Sequence, residues 1–220
     1  MRKVVTLAIL VLAAIGVTSC WPSSQRYRIT ATVDVDGVKY SGSAVQKLTC
    51  HRAWQWAQSL DTDRCAVDGA AAAVNVAGRG YLFVLRDGWD LNPNTGKRYN
   101  FQMTTYVEDL FASAGVDPFG AQSWFPSAWN VDAAHMPVMA TFSDLNDPAS
   151  IKQVEPGDLS ATFGPNVYLV SLTVSKTWEQ PTPGMNEQLL PWIHQVHGYF
   201  TGDGAKDYSK FSTVIDASSF

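Results

Sequence analysis

A stretch centred on Asp36-Gly37 constrains the fold more than any other part of this 220-residue chain. Apolar and polar residues alternate over residues 27–35, which is the period of a half-buried β-strand. Asp36-Gly37 suits a two-residue type I′ turn, where both positions need a positive φ. The alternation resumes over residues 38–44. We therefore predict an antiparallel hairpin in which Val35 faces Val38, with one apolar face and one face of hydroxyl groups and opposite charges.

Further segments predict strands, and one predicts a helix. The predicted strands are residues 69–77, 80–85, 137–142, 166–176 and 211–215. Thr105 and Glu108 have the spacing of a capping box, and Gly115 stands where the helix that follows would end. We expect a mainly β (β-rich α+β) fold, an antiparallel sandwich or partial barrel with one packed helix.

The expected environment of several segments follows from their patterns. The run of apolar residues 81–85 predicts a strand buried on both faces. In residues 166–176, alternation predicts one fully apolar face that carries Tyr168, Val170, Leu172 and Val174. Residues 61–68 have the composition of an acidic loop around Cys65, and residues 87–97 that of a Gly- and Asn-containing loop.

The first 20 residues have the organisation of an export signal. Arg2 and Lys3 precede an uncharged run over residues 4–17, which at 14 residues is shorter than the roughly 20 that a membrane-spanning helix needs. The ending Val17-Thr18-Ser19-Cys20 resembles the lipobox of bacterial lipoproteins. The resemblance implies cleavage before Cys20 and lipidation of that cysteine. A signal cut by the ordinary peptidase is the alternative.

The lipobox resemblance implies a domain organisation and a location. Residues 1–19 would be the signal peptide, 20–26 a lipidated tether and 27–220 a single β-rich domain. Cys20 would anchor the chain to a membrane of the bacterial envelope. Lipoproteins with Asp after the cysteine tend to stay on the inner membrane, so Trp21 favours the periplasmic face of the outer membrane.

The charge of the mature chain bears on its partners. Without residues 1–19, 14 lysines and arginines stand against 20 aspartates and glutamates, a net charge of −6. This balance argues against a nucleic-acid partner and against a basic patch for anionic lipid.

Cys50 and Cys65 remain once Cys20 is assigned to lipid. Disulfides form and persist outside the cytosol, so an even remainder predicts one bridge between these two cysteines. A cross-link over a separation of 15 residues stabilises a fold by about 3 kcal/mol on the chain-entropy estimate. A zinc site of Cys50, His51 and Cys65 is the alternative, but adjacent ligands point apart in an extended chain and a fourth ligand is missing.

Two segments resemble parts of short uncharacterised proteobacterial proteins. They are Phe163-Gly-Pro-Asn-Val-Tyr-Leu-Val-Ser-Leu-Thr-Val174 and Glu187-Gln-Leu-Leu-Pro-Trp-Ile193. Those proteins also begin with a strand hairpin. The resemblance implies a shared fold and no particular chemistry.

Motifs for catalysis and cofactor binding are weak in this sequence. It has no G-x-S-x-G, P-loop or G-x-G-x-x-G motif, and no residue defines a catalytic partner for His51. His194 and His197 would start a metal site if Tyr199, Asp203 or Asp207 completed it, but this spacing is common by chance. A calcium loop at residues 61–69 fails because Cys65 and Ala66 replace required residue types. We assign no catalytic residue, metal or cofactor.

Aromatic residues in loop-like stretches are the best candidates for ligand binding. They are Trp89, Trp124, Phe125 and Trp129. Exposed rings would stack on a glycan or anchor an envelope protein, whereas buried rings would cap the ends of a β core. We therefore expect a non-enzymatic binding or interaction module. The alternative is a small periplasmic hydrolase or metal-dependent enzyme, favoured if a pocket holds His51, His194 or His197 beside a carboxylate.

Overall fold

The computed structural model describes residues 23–51, 64–91, 98–101, 103–118, 128–183, 185–196 and 217–220. Its strands are β1 (Ser23–Val35), β2 (Val38–His51), β3 (Arg64–Gly69), β4 (Ala72–Asn75), β5 (Tyr81–Leu91), β6 (Arg98–Phe101), β7 (Ala128–Asn130), β8 (Pro137–Phe142), β9 (Ile151–Val154) and β10 (Val167–Lys176). Its α-helices are α1 (Met103–Ser113), α2 (Ser160–Phe163) and α3 (Met185–Leu189). The strand predicted at 211–215 lies outside the described residues. In the described part of the chain, no helix is long and apolar enough to cross a membrane.

The strands form two antiparallel sheets. Sheet A has the order β3-β2-β1-β10-β7, and sheet B has the order β4-β5-β8-β9, with β6 also pairing with β5. Helix α1 packs against β5 and β3. The predicted mainly β, antiparallel fold with one packed helix is therefore confirmed.

The β1–β2 hairpin has the predicted turn and register. Asp36 has φ +53° and Gly37 has φ +85°, as a type I′ turn requires, and Val35 pairs with Val38. The Gly37 amide donates to the Asp34 carboxylate at 2.8 Å. β1 begins at Ser23 rather than at residue 27, so residues 23–26, which we expected in a tether, belong to the sheet.

Strand β10 corrects the prediction of one apolar face. A β-bulge opposite Thr32 and Val33 inserts an extra residue, so the inward positions change from odd to even along the strand. Leu172 and Val174 are buried on one side of the bulge and Val167 on the other. Tyr168 and Val170 are instead 59% and 45% exposed. Simple alternation fails here because the bulge breaks the two-residue period.

Helix α1 ends as predicted but begins earlier. It starts at Met103, so Thr105 lies inside the helix and is not its N-cap. Gly115 has φ +71°, and the Val116 amide donates to the Phe111 carbonyl at 3.0 Å, a Schellman arrangement.

Two segments predicted as loops are strands. Part of the expected acidic loop is β3, which pairs with the end of β2, and β5 continues through part of the second expected loop to Leu91. In β3, Asp68 lies opposite Lys47 of β2. Cross-strand partners therefore stabilise residues whose own sequence has little strand character.

The hydrophobic core has two parts because sheet B is buried on both faces. Leu82 and Val84 belong to the core between the sheets, whereas Phe83 and Leu85 belong to a second core. The second core is covered by residues 189–196 and 217–220. The continuous apolar run of residues 81–85 was therefore interpreted correctly.

Residues 177–183, which we call the crossing segment, run over the outer face of sheet A. Arg26 donates to the Trp178 carbonyl at 3.3 Å, and Arg28 forms an ion pair with Glu179. The backbone of Thr182 then donates to the Val45 carbonyl at 2.9 Å, and its hydroxyl accepts from the Val45 amide at 2.8 Å. Beyond the end of β3, the crossing segment thus provides hydrogen-bond partners for backbone groups at the edge of β2.

Candidate functional site

A cleft of about 560 Å³ opens where the crossing segment meets the carboxyl-terminal part of the chain. Its polar lining includes Arg86, Asn186, Glu187 and His194, and its apolar lining includes Ile193 and Phe220. Small-molecule sites have volumes of roughly 300 to 1,000 Å³ and combine apolar walls with a few polar groups. The cleft therefore has the size and the lining of a ligand site.

The bend between β3 and β4 forms the floor of this cleft. Gly69 has φ +109°, and a Cβ atom there would lie 2.5 Å from the Val45 carbonyl oxygen. Only glycine tolerates both constraints, and the bend takes the chain from sheet A to sheet B. Ala70 follows, and its carbonyl accepts from the Gln46 side chain at 2.9 Å.

Arg86 joins the floor of the cleft to the carboxyl-terminal segment. This half-buried residue of β5 donates to the Val67 carbonyl at 3.1 Å and to the Ser218 carbonyl. The guanidinium therefore holds residues 217–220 against sheet B, because charge-assisted hydrogen bonds are stronger than neutral ones. It also places a cation on the wall of the cleft.

Asn186 lies deep in the wall and is only 3% exposed. Its amide nitrogen donates to the Phe220 carbonyl at 2.6 Å. Its side-chain oxygen is buried and has no hydrogen-bond partner among the protein groups described. A buried acceptor without a partner costs roughly 1 to 3 kcal/mol, so a donor from a ligand or from water would stabilise this site.

His194 and Glu187 form a hydrogen-bonded pair at the rim. Nε2 of His194 lies 3.0 Å from the Glu187 carboxylate, and the imidazole is exposed. Among the described residues, Glu187 is the only hydrogen-bond partner of this imidazole. A histidine beside a carboxylate in a cleft is the arrangement that the sequence analysis required for an enzyme.

The predicted disulfide between Cys50 and Cys65 is present. The two residues face each other in the β2–β3 register, with Cα atoms 4.1 Å apart. The carboxylate of Glu108 lies within 4.8 Å of both sulfur atoms, but sulfur atoms joined in a disulfide are not thiolate ligands. The bond therefore argues against the zinc alternative and ties β3 to the end of β2.

Two of the four aromatic candidates lie in described strands. Trp129 lies in β7, is half-buried and packs edge-on against Phe111, with ring centroids 5.8 Å apart. This is the contact of a ring that caps the end of a β core. Trp89 lies in β5 opposite Asn100. Trp124, Phe125, Cys20 and His197 lie outside the described residues.

Two polar clusters elsewhere, one buried around Tyr27 and one at the surface around Asp132, have structural roles. Tyr27 donates to the Gln46 side chain at 2.8 Å, and burial raises the pKa of this tyrosine. The Asp132 carboxylate accepts from the His135 ring at 2.8 Å, and this hydrogen bond lowers the pKa of Asp132. Tyr106 of α1 donates to the His135 carbonyl at 3.0 Å, so the second cluster fixes the helix to the loop before β8.

Sequence reasoning missed most of the cleft residues. Of its polar residues, only His194 was considered from the sequence; with His197 it would start a metal site, and it was also named in the enzyme alternative. Arg86, Asn186 and Glu187 belong to no motif, and only the fold brings residues 69–86 to residues 181–196. Comparisons of the chain with models of protein families, curated proteins and solved structures found no match. The functional argument therefore depends on this geometry.

Proposed function

We propose that this protein is a lipid-anchored protein of the bacterial cell envelope that faces the periplasm and binds a ligand in the cleft at Asn186. The observation that carries the proposal is the buried oxygen of Asn186, which has no hydrogen-bond partner among the described residues and lies in the wall of a 560 Å³ cleft. A hydrogen-bond donor of a ligand would remove the cost of that oxygen, while the apolar wall would remove ligand surface from water. The module would be non-enzymatic, with an envelope protein or a glycan as its partner.

The start of the domain supports an anchor at Cys20. β1 begins only three residues after that cysteine. At about 3.3 Å per residue, the 13 residues of β1 then place the Asp36-Gly37 turn some 40 Å from the start of the sheet. The anchored domain would present its hairpin turn away from the lipid.

A cleft-filling variant tests the binding function. Ser218 is exposed and lines the cleft, so Ser218→Trp should fill it without disturbing the core. Ala161→Trp is the matched control, because Ala161 is exposed on α2, outside the residues that line the cleft. Full-length tagged proteins would be purified from bacterial membranes, and the molecules that co-purify would be quantified by mass spectrometry.

We expect a molecule that co-purifies with the natural protein and with Ala161→Trp to be reduced about tenfold with Ser218→Trp, a loss of roughly 1.4 kcal/mol in binding. Equal recovery with both variants would show that the cleft is not the binding site. Cys20→Ser tests the anchor separately, since it should abolish the incorporation of radiolabelled palmitate. Palmitate in that variant would refute lipidation at Cys20.

A small hydrolase is the second candidate, favoured by the His194–Glu187 pair. A positioned general base typically accelerates a reaction by about 10² to 10⁴-fold. If the pair activates water, His194→Ala and Glu187→Gln should lower the rate of ester or amide hydrolysis by that factor. A panel of chromogenic esters and amides would test this. If the natural protein hydrolyses none of these compounds, or if the variants hydrolyse them at the same rate, the hydrolase is refuted and the binding module remains the proposed function.

A further inference from the structure

The path from the anchor to the domain is short. Only Trp21 and Pro22 lie between Cys20 and Ser23, where β1 begins. A fully extended chain spans at most about 3.6 Å per residue, so Ser23 lies within roughly 11 Å of Cys20. The beginning of β1 would therefore be held close to the lipid headgroups.

A group of basic and aromatic side chains surrounds this part of β1, with Arg26 and Lys47 on the outer face of sheet A and Lys176, which is opposite Tyr27, at the end of β10. We call Arg26, Lys47, Lys176 and Trp178 the anchor-side patch. Arg26 and Lys47 are directly opposite each other on β1 and β2, and both alternate with buried residues, so both face outward. Arg26 donates to the Trp178 carbonyl at 3.3 Å, which fixes the aromatic residue beside it.

Trp178 is exposed although it is large and apolar. Its exposed fraction is 67%, and the ammonium group of Lys176 lies 5.1 Å from the centre of its ring. Tryptophan is enriched where membranes meet water, because one edge of the indole is polar and the rest is apolar. Lysine and arginine beside it would meet phosphate groups at the same depth.

The local charge is opposite in sign to that of the whole chain. Among the described residues of this outer face, Arg26, Lys47 and neighbouring Arg28 supply three positive charges, whereas Asp68 and Glu179 supply two negative charges. The net charge of these described residues is +1, against −6 for the mature chain, so the remaining residues carry −7. The argument from total charge against a lipid-binding basic patch therefore does not hold for this surface. Phosphate groups would attract this face and repel most of the others.

We infer that the anchor-side patch rests on the phospholipid headgroups of the membrane that holds Cys20. Phosphate would bind Arg26 and Lys47, and the indole of Trp178 would enter the interface. The inference depends on the anchor proposed above. It adds an orientation, because a chain held by lipid alone would be free to turn, whereas a second contact on one face fixes which surfaces point into the periplasm.

Photo-crosslinking in the full-length, membrane-inserted protein tests this contact. A benzophenone amino acid would replace Trp178 in one protein and Val38 in another. Val38 is the matched control because it is also apolar and 54% exposed, but it lies at the hairpin turn about 30 Å along β1 from Arg26. Phospholipid would be labelled with radioactive phosphate in the bacterial host, and palmitate incorporation would be measured on the same samples.

We expect at least about tenfold more crosslinked phospholipid at position 178 than at position 38, because lipid contact ends within the headgroup layer. In the position-178 protein, Lys47→Glu should lower the crosslinked phospholipid about threefold or more, because it reverses a charge at the lipid surface. Lys39→Glu, on the same strand near the turn, should not change it. An intact Cys50–Cys65 disulfide would show that each variant is folded.

Two different results would overturn the inference. If protein that still carries palmitate shows no crosslinked phospholipid at position 178, or no more than at position 38, the contact is refuted and the anchor remains in place. Absence of palmitate from the natural protein would refute the anchor, and the inference would fail with it.

Discussion

The contact between β2 and β4 gives the sharpest prediction for the fold. Gly42 of β2 lies so close to β4 that a Cβ atom there would be 1.9 Å from the Ala73 carbonyl oxygen and 2.6 Å from its carbonyl carbon. The backbone of Gly42 is not in the left-handed region, so alanine would meet no conformational strain. The cost of Gly42→Ala is therefore steric, and it falls on backbone atoms that have no alternative rotamer.

The size of this cost follows from the shift required. Contacts of a Cβ atom below 3.0 Å essentially never occur, so β4 or β2 must move by about 1.1 Å, the difference between 3.0 and 1.9 Å. Adding one carbon to a packed core typically costs about 1 to 3 kcal/mol, and a backbone contact belongs at the upper end. With a urea m-value of about 2 kcal/mol/M, a loss of 3 kcal/mol lowers the unfolding midpoint by roughly 1.5 M.

Gly157→Ala is the matched control in a urea titration followed by circular dichroism. A Cβ atom at Gly157 would meet no atom within 4 Å, and its backbone is also outside the left-handed region. Alanine there should stabilise the protein by about 0.4 to 1 kcal/mol, because it restricts the unfolded chain. If the two variants shift the midpoint equally, or if Gly42→Ala shifts it by less than about 0.5 M, the close approach of β2 and β4 is wrong.

Three further predictions concern the turn, the disulfide and acid stability. Gly37→Val should lower the free energy of unfolding more than Lys39→Ala. Gly37 has φ +85°, where a β-branched residue is strained, whereas an exposed charge pair is worth under about 1 kcal/mol. Equal losses in urea titrations would contradict this. Replacing Cys50 and Cys65 by serine should cost about 3 kcal/mol, and mass spectrometry of the native protein should find neither residue alkylated. Asp132→Asn should be less stable than the natural protein above about pH 4, and the difference should disappear at lower pH. The reason is that the lowered pKa of Asp132 stabilises the folded state only while the carboxylate is ionised; a constant difference from pH 6 to pH 2 would refute this.

The sequence predicts most reliably those elements whose local pattern and turn chemistry agree. The β1–β2 hairpin was predicted in its correct register because Asp36-Gly37 and the flanking alternation favour the same pairing. The strand predicted at residues 166–176 was found, but its exposed face was wrong because a bulge depends on the partner strand and leaves no mark on local periodicity. The prediction of a loop around Cys65 was wrong for a related reason, because the strand conformation of β3 depends on its pairing with β2 and on the disulfide.

The cleft illustrates what local pattern cannot provide. Glu187 and His194 are seven residues apart in the sequence, but they come into contact only through the turn after α3. Arg86 joins the cleft only because β5 lies beneath residues 217–220. Asn186 would be expected on the surface by composition, but the fold buries it. No sequence pattern pointed to this site, because the polar groups of the cleft are spread over distant segments of the chain.

The position of the cleft follows from how sheet B covers its second face. Phe83 and Leu85 face away from sheet A, so sheet B is stable only with a second apolar layer, which includes Ile193 and Phe220. Residues 217–220 are held there by the two polar side chains Arg86 and Asn186, through the carbonyl groups of Ser218 and Phe220. The same side chains line the cleft, so a ligand bound there would contact the groups that hold this layer in place. Ligand binding and the docking of the carboxyl-terminal segment should therefore be coupled, since a ligand that binds only the docked form stabilises it by mass action.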